Sequence, residues 1–153
     1  MPRTEEKEPG VVMEFKMHHV AISVKDIAES IRFYEILGFK VIQHWEDPEG
    51  TRQIAHLMLG SQLLEIFWYQ HQVLAPRSSR SLETDLPRIG VKHFALEVDC
   101  LEEARDFVLS RALATDVQIR TGKTGVSYFF IADPSDILIE FVEDKRDTRA
   151  RSA

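Results

Sequence analysis

Apolar and polar positions along the chain follow two periods in a recurring order. Residues 17–24 (MHHVAISV) alternate as a half-buried strand does, and after Asp26 the residues Ile27, Ile31, Tyr34 and Leu37 fall at helical spacing up to Gly38. The run FKVIQHW predicts a second strand, the acidic turn EDPEG a bend at Pro48 and Gly50, and RQIAHLML and SQLLEIFWY two more strands parted by Gly60. From residue 91 the order returns: VKHFALEV predicts a strand, LEEARDFVLSRAL a helix, and DVQIRT, GVSYFFIA and DILIEFVE three further strands. Each half reads βαβββ. His19 and His93 stand 74 residues apart, and at that offset Val24 meets Val98, Ile27 meets Leu101 and Phe33 meets Phe107. Glu65 and Glu140 stand 75 apart, so one residue of loop has been gained. A duplicated unit of this kind predicts an α+β fold, two tandem βαβββ modules forming a cupped, barrel-like mixed sheet with helices outside. Module one covers 15–69, a linker without regular strand 70–90, and module two 91–143, with flexible tails at 1–14 and 144–153.

Four polar residues sit where the strand pattern calls for apolar ones. LLEIF and ILIEF each place a glutamate, Glu65 and Glu140, inside an apolar strand. An ionised carboxylate removed from water without a partner costs several kcal/mol, so each needs compensation. HHVAIS and KHFALE place His19 and His93 early in the first strand of each module. Strand alternation puts His19, Ala21 and Ser23 on one face and the Val/Ile-rich positions on the helix-packing face; Glu65, Phe67 and Tyr69 likewise lie opposite Leu64, Ile66 and Trp68. Each module thus supplies one imidazole and one carboxylate to the concave side. Four such donors suit a borderline divalent metal and leave one or two coordination positions for water or substrate.

HHVAISVKDIAESIRFYEILGFKV, LLEIFWY, IGVKHFALEV and YFFIADPSDILIEFVE resemble the vicinal oxygen chelate superfamily, which holds glyoxalases, bleomycin-resistance proteins and extradiol dioxygenases. The ordered set His19, Glu65, His93 and Glu140 is similar to that of small bacterial glyoxalase I-like proteins. The resemblance implies one divalent ion per site (Ni, Zn, Co, Mn or Fe) and a small hydroxyketone-type substrate gripped through adjacent oxygens. It also implies that Glu140 or Glu65 carries a carbon-bound proton in a lyase, isomerase or epimerase reaction, and that the protein is a homodimer. A metal-dependent dioxygenase and a drug- or metabolite-binding protein of the same fold are the alternatives. Glyoxalase I relatives have a polar TYN segment after the second ligand; here IFWYQ puts Tyr69 in place of the Asn, which argues against glutathione. Phe67, Tyr69 and Tyr128 could line a pocket for a less polar substrate, although core packing is the ordinary role of such residues. His56 could face the same cavity as an acid or base, the ordinary alternative being a partly exposed strand histidine. Alternation turns His18 to the other face, and Asp133 is expected to be structural, with Asp136 taking the left-handed position of the turn before the last strand.

Composition narrows the partners. With 153 residues the chain suits one domain or two half-size modules sharing a core. A formal net charge of −6 offers no footprint for nucleic acid. No apolar run approaches the ~20 residues of a membrane span. The single Cys100 excludes an internal disulfide and fits a reducing compartment, so a cytoplasmic location is expected.

Overall fold

The computed structural model describes residues 13–146. The expected flexibility of 1–12 and 147–153 lies outside those residues. Module one runs β1 (His19–Ser23), α1 (Ile27–Ile36), β2 (Lys40–Glu46), β3 (Arg52–Leu59) and β4 (Gln62–Tyr69). The linker holds a 3-10 turn (Arg77–Arg80) and the short α2 (Leu82–Asp85) but no strand. Module two follows with β5 (Phe94–Glu97), α3 (Leu101–Ser110), β6 (Arg120–Thr121), β7 (Ser127–Ala132) and β8 (Leu138–Glu143).

Each module forms its own four-stranded sheet, in the orders β1-β4-β3-β2 and β5-β8-β7-β6. The first strand of each unit pairs parallel with its last strand, and the rest are antiparallel. The registers repeat as well: Ala21 lies opposite Glu65, and Ala95 opposite Glu140. The architecture is the expected α+β pair of βαβββ units, but the sheets remain separate and do not close into a barrel.

Helix α1 starts where the Asp26 side chain accepts a hydrogen bond from Glu29 N at 2.8 Å, a side-chain cap. Its buried residues Ile27, Ser30, Phe33 and Tyr34 share one face, which packs on Leu64 and Ile66 of β4 and joins a hydrophobic cluster drawn from both modules. In α3 the cap position is Cys100, which makes no such bond; Glu143 of β8 accepts from Leu101 N instead, at 3.0 Å. Both helices end in a left-handed residue, Gly38 (φ 96°) and its counterpart Ala112 (φ 54°). The sequence pattern predicts a strand over DVQIRT, yet β6 is only Arg120–Thr121. Val117 and Ile119 pack against the core on one face, as alternation expects, but the ladder with β7 begins only at Arg120.

The modules share a core through Tyr34, which is fully buried. Its ring approaches Phe94 at 6.4 Å between centroids, and its hydroxyl donates to Asp133 Oδ2 at 2.9 Å. Asp133 Oδ1 accepts from Ser135 N and Ile137 N, and Asp136 has φ 66°, so the turn before β8 has the structural role expected of it. No helix among the described residues is long and apolar enough to cross a membrane.

Candidate metal centre

The open face of each sheet, turned away from the helices, carries the polar residues singled out by the alternation. In module one His19 Nε2 lies 3.4 Å from Glu65 Oε2, and His56 Nε2 lies 2.9 Å from Glu65 Oε1. In module two His93 Nε2 lies 3.0 Å from Glu140 Oε2. These carboxylates are about one-fifth exposed, 20% and 18%. The apolar neighbours Leu64, Ile66, Ile139 and Phe141 point the other way into the core. Alternation on a half-buried sheet thus explains both how a glutamate is tolerated inside an apolar run and what compensates it.

The four expected ligands come together as two pairs, one per sheet. Among the described residues no three His, Cys, Asp or Glu side chains are gathered so as to hold an ion. His56, given less weight than the others in the sequence, faces Glu65 directly across the β3–β4 ladder. Its counterpart at the repeat offset is Phe130, opposite Glu140. The offset itself hides His56, because a histidine present in one module only has no partner to flag it. Phe130 carries no polar signal, yet it packs edge-on to the His93 ring at 4.9 Å. His93 Nδ1 is buried without a hydrogen-bond partner, so Phe130, not a second hydrogen bond, holds this ring in place.

The pairs fit metal donors on two counts. Imidazole nitrogen and carboxylate oxygen are the ligand types a borderline divalent ion takes. Two donors at about 2.1 Å from one ion lie roughly 3.0 Å apart at a right angle and roughly 3.4 Å apart at the tetrahedral angle. The His19–Glu65 and His93–Glu140 separations, 3.4 and 3.0 Å, fall in that span, which is also the span of the direct contacts the pairs make with each other.

The expected pocket aromatics do not line one cavity. Phe67 and Tyr69 border a cavity of about 410 Å³ under the linker, with Gln72 and Leu74. Tyr128 borders another of about 450 Å³ with Arg120 and Phe130. His18 is exposed, and its Nδ1 sits 2.9 Å from His19 Nδ1.

Comparison with known proteins decides the family. The model of the Glyoxalase/Bleomycin resistance protein/Dioxygenase superfamily matches residues 16–141. The chain belongs to this superfamily. It is 28% identical over 130 residues to the uncharacterized protein YwkD of Bacillus subtilis, covering 83% of this chain and 95% of that one. It is 26% identical over 153 residues to the lactoylglutathione lyase of Schizosaccharomyces pombe, covering 94% of this chain but only 50% of the yeast enzyme. The crystal structure of a glyoxalase family protein from Enterococcus faecalis superposes with a TM-score of 0.70 at 30% identity, covering 84% of this chain and 97% of that one. The superfamily contains metal-dependent enzymes on small molecules, and the two His–Glu pairs stand on the open faces of its paired sheets.

Proposed function

We propose that this superfamily member is a divalent-metal-dependent, glyoxalase-like lyase, isomerase or epimerase acting on a small hydroxyketone-type substrate, with His19, Glu65, His93 and Glu140 as the metal ligands. The observation that carries the reading is the repetition of one His–Glu pair at equivalent registers on the open face of each sheet. A divalent ion held by these groups would supply Lewis-acid polarisation of substrate oxygens and so acidify a neighbouring C–H. Glu140 is the better placed proton carrier. Two imidazoles, His19 and His56, restrain Glu65, whereas His93 alone holds Glu140, through Oε2. Glu140 therefore swings toward a substrate carbon with fewer contacts to break.

The pairs lie on separate sheets, so a four-donor set forms when a second copy sets its module-two sheet against module one. Exposed apolar residues support such a homodimer: Phe15 and Met17 are 86% and 82% exposed. A cytoplasmic location accords with the lone Cys100.

The test is metal analysis joined to isotope exchange. Purified protein should carry about one divalent ion per chain, lost in His19→Ala and Glu140→Ala. A panel of α-hydroxyketones, cyclitol ketones and methylglyoxal hemithioacetal in deuterated water should show metal-dependent exchange of a carbon-bound proton, abolished in Glu140→Gln. Well-folded protein that takes up no metal would refute the reading, and oxygen consumption with a catechol would transfer it to the dioxygenases.

A further inference from the structure

The linker roofs a cavity of about 350 Å³ at the seam between the modules, where Ala21 of β1 and His93 line its floor. Its charged lining is uneven. Among the described residues four cations, Lys25, Arg80, Arg88 and Lys92, face two carboxylates, Asp85 and Asp136. Asp136 holds Lys25 Nζ at 2.6 Å and meets Arg80 Nε at 3.5 Å. Asp85, 1% exposed, holds Arg88 Nε at 2.7 Å and meets Lys92 Nζ at 3.5 Å. Each carboxylate thus gathers two cations and neutralises one, and the wall keeps two positive charges in excess. A concave wall with a net positive charge concentrates anions, and here the cations are tethered before any ligand arrives. Arg80 is tethered through Nε at the long distance only, so the terminal fork that suits carboxylate or phosphate oxygens remains available.

We propose that this cavity is an anion subsite that takes the carboxylate or phosphate group of a small acidic ligand. The volume lies at the lower end of small-molecule sites, which limits the ligand to a few carbons. Because His93 borders the same space, the class of substrate becomes a hydroxy- or oxo-acid, or a phosphorylated hydroxyketone. Its anionic end lies under the linker and its reactive oxygens toward the histidine. That last step rests on the metal-enzyme reading; the anion subsite itself does not.

The experiment uses the metal-free full-length protein at low ionic strength, titrated with inorganic phosphate, with succinate and with neutral erythritol, and followed by backbone amide NMR. One or both anions should produce saturable shifts centred on Ser79, Arg80, Ser135 and Asp136, and erythritol none. The stronger of the two anions identifies the group. Arg80→Gln and Lys25→Gln, each retaining a folded amide spectrum, should weaken the binding about tenfold, the loss of one charge-assisted hydrogen bond. Absence of saturable shifts at these amides, or unchanged binding in both variants, would overturn the proposal. Intact anion binding without metal-dependent proton exchange overturns the metal reading alone, and exchange without anion binding overturns this one alone.

Discussion

Removing the Tyr34 hydroxyl tests how the two modules are locked together. In Tyr34→Phe the ring keeps its contacts with Phe33, Phe39 and Phe94, so the change isolates one hydrogen bond, the 2.9 Å donation to Asp133 Oδ2. Asp133 Oδ1 keeps its two backbone donors, Ser135 N and Ile137 N, while Oδ2 is left in a buried place without one. A hydrogen bond to a charged group contributes about 1.5–3 kcal/mol, and a buried acceptor left bare forfeits that full amount. For a chain of this size the loss corresponds to a Tm lower by roughly 4–10 °C. The sign of the pH dependence follows from burial, which holds the Asp133 carboxyl above the usual carboxylate range. The Tyr34 hydroxyl favours the charged carboxylate, so without it the folded pKa rises further. The extra destabilisation therefore appears as pH rises through the wild-type folded pKa of Asp133 and shrinks below it, where both proteins carry a neutral acid. Thermal unfolding followed by circular dichroism from acid to neutral pH measures both quantities. A neutral-pH Tm within about 1 °C of wild type, or a loss independent of pH, would refute the coupling.

Three further outcomes are expected. Ala112 holds a left-handed conformation (φ 54°) where module one has Gly38, so Ala112→Gly should stabilise the protein by about 0.5–1 kcal/mol in urea unfolding; a destabilised variant would contradict the strain argument. The Asp47 carboxyl is held below its usual range, chiefly by the Thr51 hydroxyl and also by Arg52, against the opposing effect of burial. Its contribution is thus fully present above the unfolded value of about 3.9 and fades as pH falls toward the lower folded value, so Asp47→Asn should flatten the acid limb of the stability–pH curve. His56→Phe copies the Phe130 arrangement of module two and frees Glu65 of one imidazole. It should remain folded by circular dichroism while its metal affinity, read by competition with a chromogenic chelator, changes relative to wild type; identical affinity would show that His56 does not restrain a ligand.

The duplicated order of elements, the two helix faces and the inward or outward sense of each strand position were legible in the chain, because periods of 2 and 3.6 are local consequences of backbone geometry. The same periods placed His19 with Glu65 and His93 with Glu140 on the open faces, since a buried carboxylate must lie opposite the core and beside a partner. Only the tertiary structure decided the rest. Ladder partners outside the repeat, such as His56 across from Glu65 and Phe130 beside His93, depend on register between distant strands. The length of β6 was settled there too: Val117 and Ile119 face the core as their alternation expects, but ladder pairing with β7 is limited to Arg120–Thr121. That the two sheets stay separate, and that the modules meet through Tyr34 and Phe94, sixty residues apart, are matters of long-range packing. The charged wall of the linker cavity is likewise a meeting of chain segments, Lys25 with Asp136 and Asp85 with Lys92, and no local pattern announces which side chains such a meeting brings together.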